Sequence, residues 1–133
     1  MTRFMLDTNT VGYLLRGQPN VARRMAAKPP ERLCLSAVTE GELRYGLAKR
    51  PEAAKLLAAA QELLSAIEVL PWTRETARRY GAMRADLERH GKTLGPLDLM
   101  IAAHALECDA TLATSDHAFR FVAELKLEDW TQD

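Results

Sequence analysis

Phe4-Met5-Leu6-Asp7-Thr8-Asn9-Thr10-Val11-Gly12-Tyr13-Leu14-Leu15 is the stretch that decides the fold. Three apolar residues read as a short strand, and the Asp, Thr and Asn side chains that interrupt the apolar run are those that cap helices. The resumed apolar residues continue as a helix. A strand therefore feeds straight into a helix, and an acid, Asp7, sits at the junction.

Working outward, Gly17-Gln18-Pro19-Asn20 breaks the chain, and Val21 to Lys28 reads as a second short helix that Pro29-Pro30 ends. Leu33-Cys34-Leu35 is the next strand. Ser36 to Arg50, with Val38, Leu43 and Leu47 at near-helical spacing, precedes an Ala/Leu-rich helix that Pro51 opens and that runs to about Ile67. Ile67 to Leu70 is a third strand, Arg74 to His90 a helix, and Gly91 to Gly95 a loop. The helix begun by Pro96 is apolar nearly all round and so is expected to be buried. Ala110 to Thr114 is a fourth strand, and Leu127 to Trp130 a candidate fifth at the edge. Strands that alternate with helices predict an α/β fold: a central, mainly parallel sheet of four to five strands between two helical layers.

The 133 residues suffice for one packed core, and the reading is a single domain over residues 1–133. Cys34 and Cys108 stand in apolar contexts with no zinc spacing around them, so both read as free, buried thiols. The apolar run at the N-terminus is too short for a signal peptide, and no later stretch reaches membrane-spanning length, so a cytoplasmic protein is expected. Net charge is zero, which removes bulk electrostatics as a sign of a nucleic-acid binder. The basic residues nevertheless gather between Arg74 and Lys92, where Arg74, Arg78 and Arg79 read equally as a solvated helix face and as phosphate contacts.

In a parallel sheet the strand C-termini share one edge, and ligands bind there. Asp7 directly follows the first strand, and Asp116 follows the fourth after Ser115. Glu42 lies early in the helix after the second strand, and Asp98 lies in the first turn of the Pro96 helix. Each has a plain structural reading. Asp7 would cap the first helix, Glu42 would close a capping box with Thr39, Asp98 would answer the helix dipole and Asp116 would start an Asx-turn. Taken together those readings weaken, because like charges ~4 Å apart repel by roughly 4 kcal/mol at an effective dielectric near 20. A cluster of hard oxygen ligands is the usual setting for Mg2+ or Mn2+, which activates water, orients a scissile phosphodiester and stabilises the leaving oxygen. Asn9 and Thr114 are placed to orient such a site from behind. His104, one helical turn from Cys108, reads as a packed, hydrogen-bonded core residue, His90 as solvent-facing, and His117 as a neighbour of Asp116.

The same residues carry a family resemblance. Met5-Leu6-Asp7-Thr8-Asn9 resembles the opening motif of the PIN domain, and Glu42-Leu43-Arg44-Tyr45-Gly46 its second segment. Gly95-Pro96-Leu97-Asp98-Leu99-Met100-Ile101-Ala102 is similar to the third, and Thr114-Ser115-Asp116-His117-Ala118-Phe119 to the fourth. Their order and spacing resemble those of VapC toxins of the enteric type. The resemblance implies a three-layer α/β/α PIN domain and a Mg2+ site, with Mn2+ as a substitute, on Asp7, Glu42, Asp98 and Asp116. Asn9, Thr114 and Ser115 would stand behind those acids.

It further implies endonucleolytic cleavage of structured RNA, with initiator tRNA as the expected target, and a homodimer. A VapB-type antitoxin would block the acidic cleft, and operator DNA would be bound only as the complex. Leu43, Leu47, Leu56, Leu57, Leu63 and Leu64 are the candidates for the antitoxin contact. Ala118 stands where many relatives carry a further acid, so one tightly held ion is expected, with any second arriving alongside RNA. Two other readings compete. Asp7-Thr8-Asn9-Thr10 brushes against the motif of haloacid-dehalogenase-type phosphatases, but Asn9 replaces their second acid. A PIN-like module that only binds would lack intact acids.

Overall fold

A computed structural model describes residues 2–133. Strand β1 (Phe4–Leu6) runs into helix α1 (Thr8–Leu15), which Asp7 caps, and α2 (Pro19–Ala26) follows. Strand β2 (Leu33–Ser36) leads to α3 (Ala37–Ala48) and α4 (Ala54–Ala66), and β3 (Glu68–Leu70) to α5 (Arg74–Arg89) and α6 (Pro96–Glu107). Strand β4 (Thr111–Ala113), a 3₁₀ turn at His117–Phe121 and β5 (Leu127–Glu128) complete the chain.

All five strands are parallel, in the order β3-β2-β1-β4-β5. Each crossover is long enough for the helices to cover both faces. Side chains alternate along β1, and that alternation divides the core. Met5, Cys34 and Leu112 face the layer of α5 and α6, where they meet Leu99, Ile101, Ala102 and Leu87. Phe4, Leu6, Leu33 and Leu35 face the opposite layer, with Val11, Val21, Leu63 and Trp130. The three-layer arrangement expected from the alternating elements is therefore present, and the sheet is wholly parallel. The topological switch point falls between β1 and β4, since the chain builds outward from β1 first to one side and then to the other.

Some local readings change. Pro51 does not open α4. Residues 50–53 form a turn closed by Ala53 N–H donating to the Arg50 carbonyl at 3.0 Å, and the helix starts at Ala54 without a side-chain cap. Thr39 does not cap α3 either. β2 stays extended through Ser36, whose Oγ accepts from Val38 N at 3.1 Å and takes the cap position, leaving Thr39 inside the helix. The last strand stops at Glu128, and Trp130 turns back over the sheet to pack 6.0 Å from the Phe4 ring. Cys34 is buried as expected, but Cys108 is only half-buried, with its thiol donating to Glu107 at the end of α6.

The basic run on α5 is largely neutralised within its own surroundings. Arg78 pairs with Glu75, Arg84 with Glu88 at 3.1 Å, Arg89 with Asp86 at 3.6 Å and Arg79 with Glu124 at 3.4 Å. All are exposed, so these pairs add little stability and describe a solvated face.

Candidate active site

The sheet brings the first and fourth acids to one place. Leu6 and Ala113 are register partners, so Asp7 and Thr114 leave β1 and β4 side by side, and Asp7 N–H donates to the Ala113 carbonyl at 3.1 Å. Asp7 is buried, and its Oδ1 accepts from Thr10 N at 2.8 Å. The capping reading of Asp7 is thus correct as far as it goes. It accounts for Oδ1, and the Thr114 hydroxyl also bears on the same carboxylate.

Burial raises the Asp7 pKa above the ordinary carboxylate value. The Thr114 hydroxyl and the Thr10 backbone oppose the shift, and the charge of Asp116 adds to it. Thr114 also holds Asp116, whose N–H donates to Thr114 Oγ1 at 3.0 Å, while Asp116 Oδ1 accepts from Ala118 N at 2.9 Å and starts the 3₁₀ turn. Ser115, half-buried, is the single residue between them.

The other two acids come from helices. Asp98 lies in the first turn of α6 after Pro96, a residue suited to that position because its missing N–H would have no partner there. Its pKa is pushed up to about 6 by burial first, then by the charges of Asp116, Asp7 and Glu42. Glu42, half-buried in α3, accepts from Thr8 Oγ1 at 2.5 Å, so α1 steadies it from across the cleft. The four acids therefore share one electrostatic field around Asp98. Among the described residues none of them forms an ion pair.

Thr8, which bonds Glu42, is a neighbour of the acids that capping rules alone do not single out from the polar cluster around it. Its position beside Asp7 was the available signal. Asn9 is exposed on the first turn of α1, where with Thr8 and Glu42 it lines a groove of about 330 Å³ that continues to Leu43, Leu47 and Leu56. Of the histidines, His90 and His117 are exposed and His104 is buried.

The donor chemistry fits a hard divalent cation, since the cluster offers carboxylate oxygens with hydroxyls behind them and neither sulfur nor imidazole. Among the described residues no three His, Cys, Asp or Glu side chains close on a common point tightly enough to make a preassembled cage. Mutual repulsion between like charges opposes such closure.

The PIN domain family model matches residues 4–125. Over 131 residues the chain is 34% identical to the tRNA(fMet)-specific endonuclease VapC of Salmonella typhimurium, covering 98% of this chain and 99% of that one. The chain belongs to the VapC family of PIN domains. The tRNA(fMet)-specific endonuclease VapC of Shigella flexneri is 35% identical over 132 residues, covering 98% of this chain and all of that one.

Among solved structures, DNA-bound VapBC from Salmonella typhimurium superposes with a TM-score of 0.90 at 34% identity, covering 98% of this chain and 99% of that one. Nucleases of the PIN class generally work with divalent metals. The VapC match takes in the whole Asp7–Thr10 segment, so its likeness to a phosphatase motif carries no further weight. Among the described residues no helix is long and apolar enough to cross a membrane.

Proposed function

We propose that this chain is the toxin of a VapBC-type toxin–antitoxin pair, a cytoplasmic Mg2+-dependent endoribonuclease that Mn2+ also serves, acting on structured RNA with initiator tRNA as its target. The observation that carries the reading is the shared field at Asp98, where burial and three other acids act on one carboxyl. The relatives named tRNA(fMet)-specific endonuclease supply the substrate.

In this reading Asp7, Glu42, Asp98 and Asp116 hold the ion. When bound, the ion supplies charge neutralisation and Lewis acidity towards the scissile phosphodiester. The chain's own residues do the positioning. Asp7 keeps Oδ1 on Thr10 N. Thr114 holds both Asp7 and Asp116, Ser115 lies between Thr114 and Asp116, and Thr8 orients Glu42. Asn9 stands at the mouth as a polar contact for RNA. The acids also keep phosphate out until a cation is present, because an anion meets four like charges there.

Arg74, Arg78 and Arg79 remain the candidate phosphate contacts on α5, in competition with their acidic neighbours. A VapB-type antitoxin would lie along the groove of Leu43, Leu47 and Leu56, and Leu57, next to Leu56 in the chain, is 41% exposed. Leu63 belongs to the core instead, and Leu64, half-buried, packs against it. The toxin works as a homodimer, and operator DNA is bound by the complex with antitoxin, a reading supported by the DNA-bound state of VapBC from Salmonella typhimurium.

The test is cleavage of tRNA by purified protein, with and without chelator. Cleavage that requires added Mg2+ and disappears in Asp7→Asn is the expected result. Activity that survives chelation, or survives in the variant, overturns the assignment, and a folded, metal-binding but inactive wild type would make the chain a binding module.

A further inference from the structure

His104, on α6, is 1% exposed, in a place where an apolar side chain would fill the same space without the cost of burying a polar ring. Its Nδ1 lies 2.7 Å from Ser36 Oγ, and the Pro71 carbonyl faces the ring. Burial pushes its pKa down, against the opposing influence of Glu107 and of that carbonyl, so the ring is neutral at pH 7. A neutral imidazole has one N–H. The ring's contact with Ser36 is made through Nδ1. Ser36 Oγ in turn accepts from Val38 N at 3.1 Å. The result is a chain of hydrogen bonds from the first turn of α3, through Ser36, to His104 on α6.

The location of this chain matters for the acids. Asp7 and Asp116 are fixed by the sheet, through the pairing of β1 with β4. Glu42 and Asp98 instead ride on α3 and α6, and no strand pairing sets one against the other. The Ser36–His104 bond ties the cap of α3 directly to α6, with 68 residues between the partners. We propose that this bond is the pin that sets Glu42 against Asp98, which makes His104 a positioning residue for the divalent-metal site. The inference rests on the four-acid reading of that site.

The experiment measures Mn2+ binding to the RNA-free, full-length protein from the paramagnetic resonance of the free ion. His104→Gln and Ser36→Ala break the bond from opposite ends and are each expected to weaken Mn2+ binding about tenfold, the scale on which residues behind metal ligands act. Ser36→Thr keeps the hydroxyl and should bind as the wild type does. In a Glu42→Gln background His104→Gln should change the affinity less than about twofold, because coupled residues are non-additive.

Cleavage by the single variants should recover at saturating Mn2+. Wild-type affinity in both variants, an undiminished loss in the Glu42→Gln background, or a cleavage defect that saturating Mn2+ does not repair would overturn the proposal. If His104→Gln does not fold, Ser36→Ala in the same cycle decides it. Failure of the underlying four-acid reading is separately visible, as wild-type Mn2+ binding that Asp7→Asn leaves unchanged.

Discussion

Two charged regions of this molecule are built on opposite principles. Where the C-terminal tail folds over the sheet, the charges around Glu128 have partners inside the chain. Lys28 Nζ sits 4.3 Å from the Phe4 ring centroid, 5.3 Å from that of Trp130 and 4.0 Å from Glu128. Arg24 approaches Glu128 at 3.6 Å, and Trp130 Nε1 donates to the same carboxylate at 2.9 Å. At the C-terminal edge of the sheet, four acids share a field with no basic side chain paired to any of them among the described residues. The clasp is complete in itself and serves stability. The acid cluster has no such internal complement among the described residues, and in the proposed function a divalent cation would supply it.

The contrast breaks if damage to the clasp also damages the pocket's chemistry. Trp130→Ala removes a side chain that is 1% exposed and should cost about 3–5 kcal/mol of stability. Cleavage per folded molecule, measured well below the melting temperature, should stay at the wild-type level. The reverse experiment is Asp98→Asn. It should lower cleavage more than about 100-fold, beyond the range seen for residues behind a metal ligand, while metal-free thermal unfolding moves to higher temperature as one of four repelling charges disappears.

Titration sharpens the same difference. The Asp98 carboxyl titrates from an ordinary value of 3.8 in the unfolded chain and about 6 in the folded one. Its contribution to stability is therefore fully present below about 3.8 and is lost as the pH rises through about 6. Metal-free protein should melt at progressively lower temperature from pH 4 to pH 6.5, and either Asp98→Asn or added Mn2+ should flatten that slope. A flat profile in the metal-free wild type would remove the electrostatic argument. The smallest effect belongs to Glu128→Gln in the clasp. It should change stability by about 1 kcal/mol or less, since Gln keeps an oxygen to accept from Trp130 Nε1 and the ion pairs it loses are long, at 3.6 and 4.0 Å.

What the sequence disclosed follows the same division. Asp7 and Asp116 were legible because each lies at the end of an apolar run, and a strand's end is a place in space once the sheet is parallel. Asp98 was legible because Pro96 fixes where its helix begins. Glu42 was placed correctly on its helix, yet its partner was misjudged: local rules point to the nearby Thr39, and the distant Thr8 is the one that bonds it. Local capping rules see a few residues at a time. They are blind to contacts such as Ser36 with His104 or Phe4 with Trp130, which depend on chain segments meeting only after folding. Pro51 misled for a related reason. A proline fits a turn as well as a helix start, and without a capping side chain at Ala53 nothing local separates the two.

The central position of β1 also has a consequence in time. Its neighbours are β2, which begins at Leu33, and β4, which does not begin until Thr111. During synthesis the first residues of the chain must wait for the last quarter of the message to be read before Asp7 gains its companion at position 116. A half-made chain on the ribosome therefore holds Asp7 without the strand that brings Asp116 to the same edge, and the acid cluster forms only when that strand has been added.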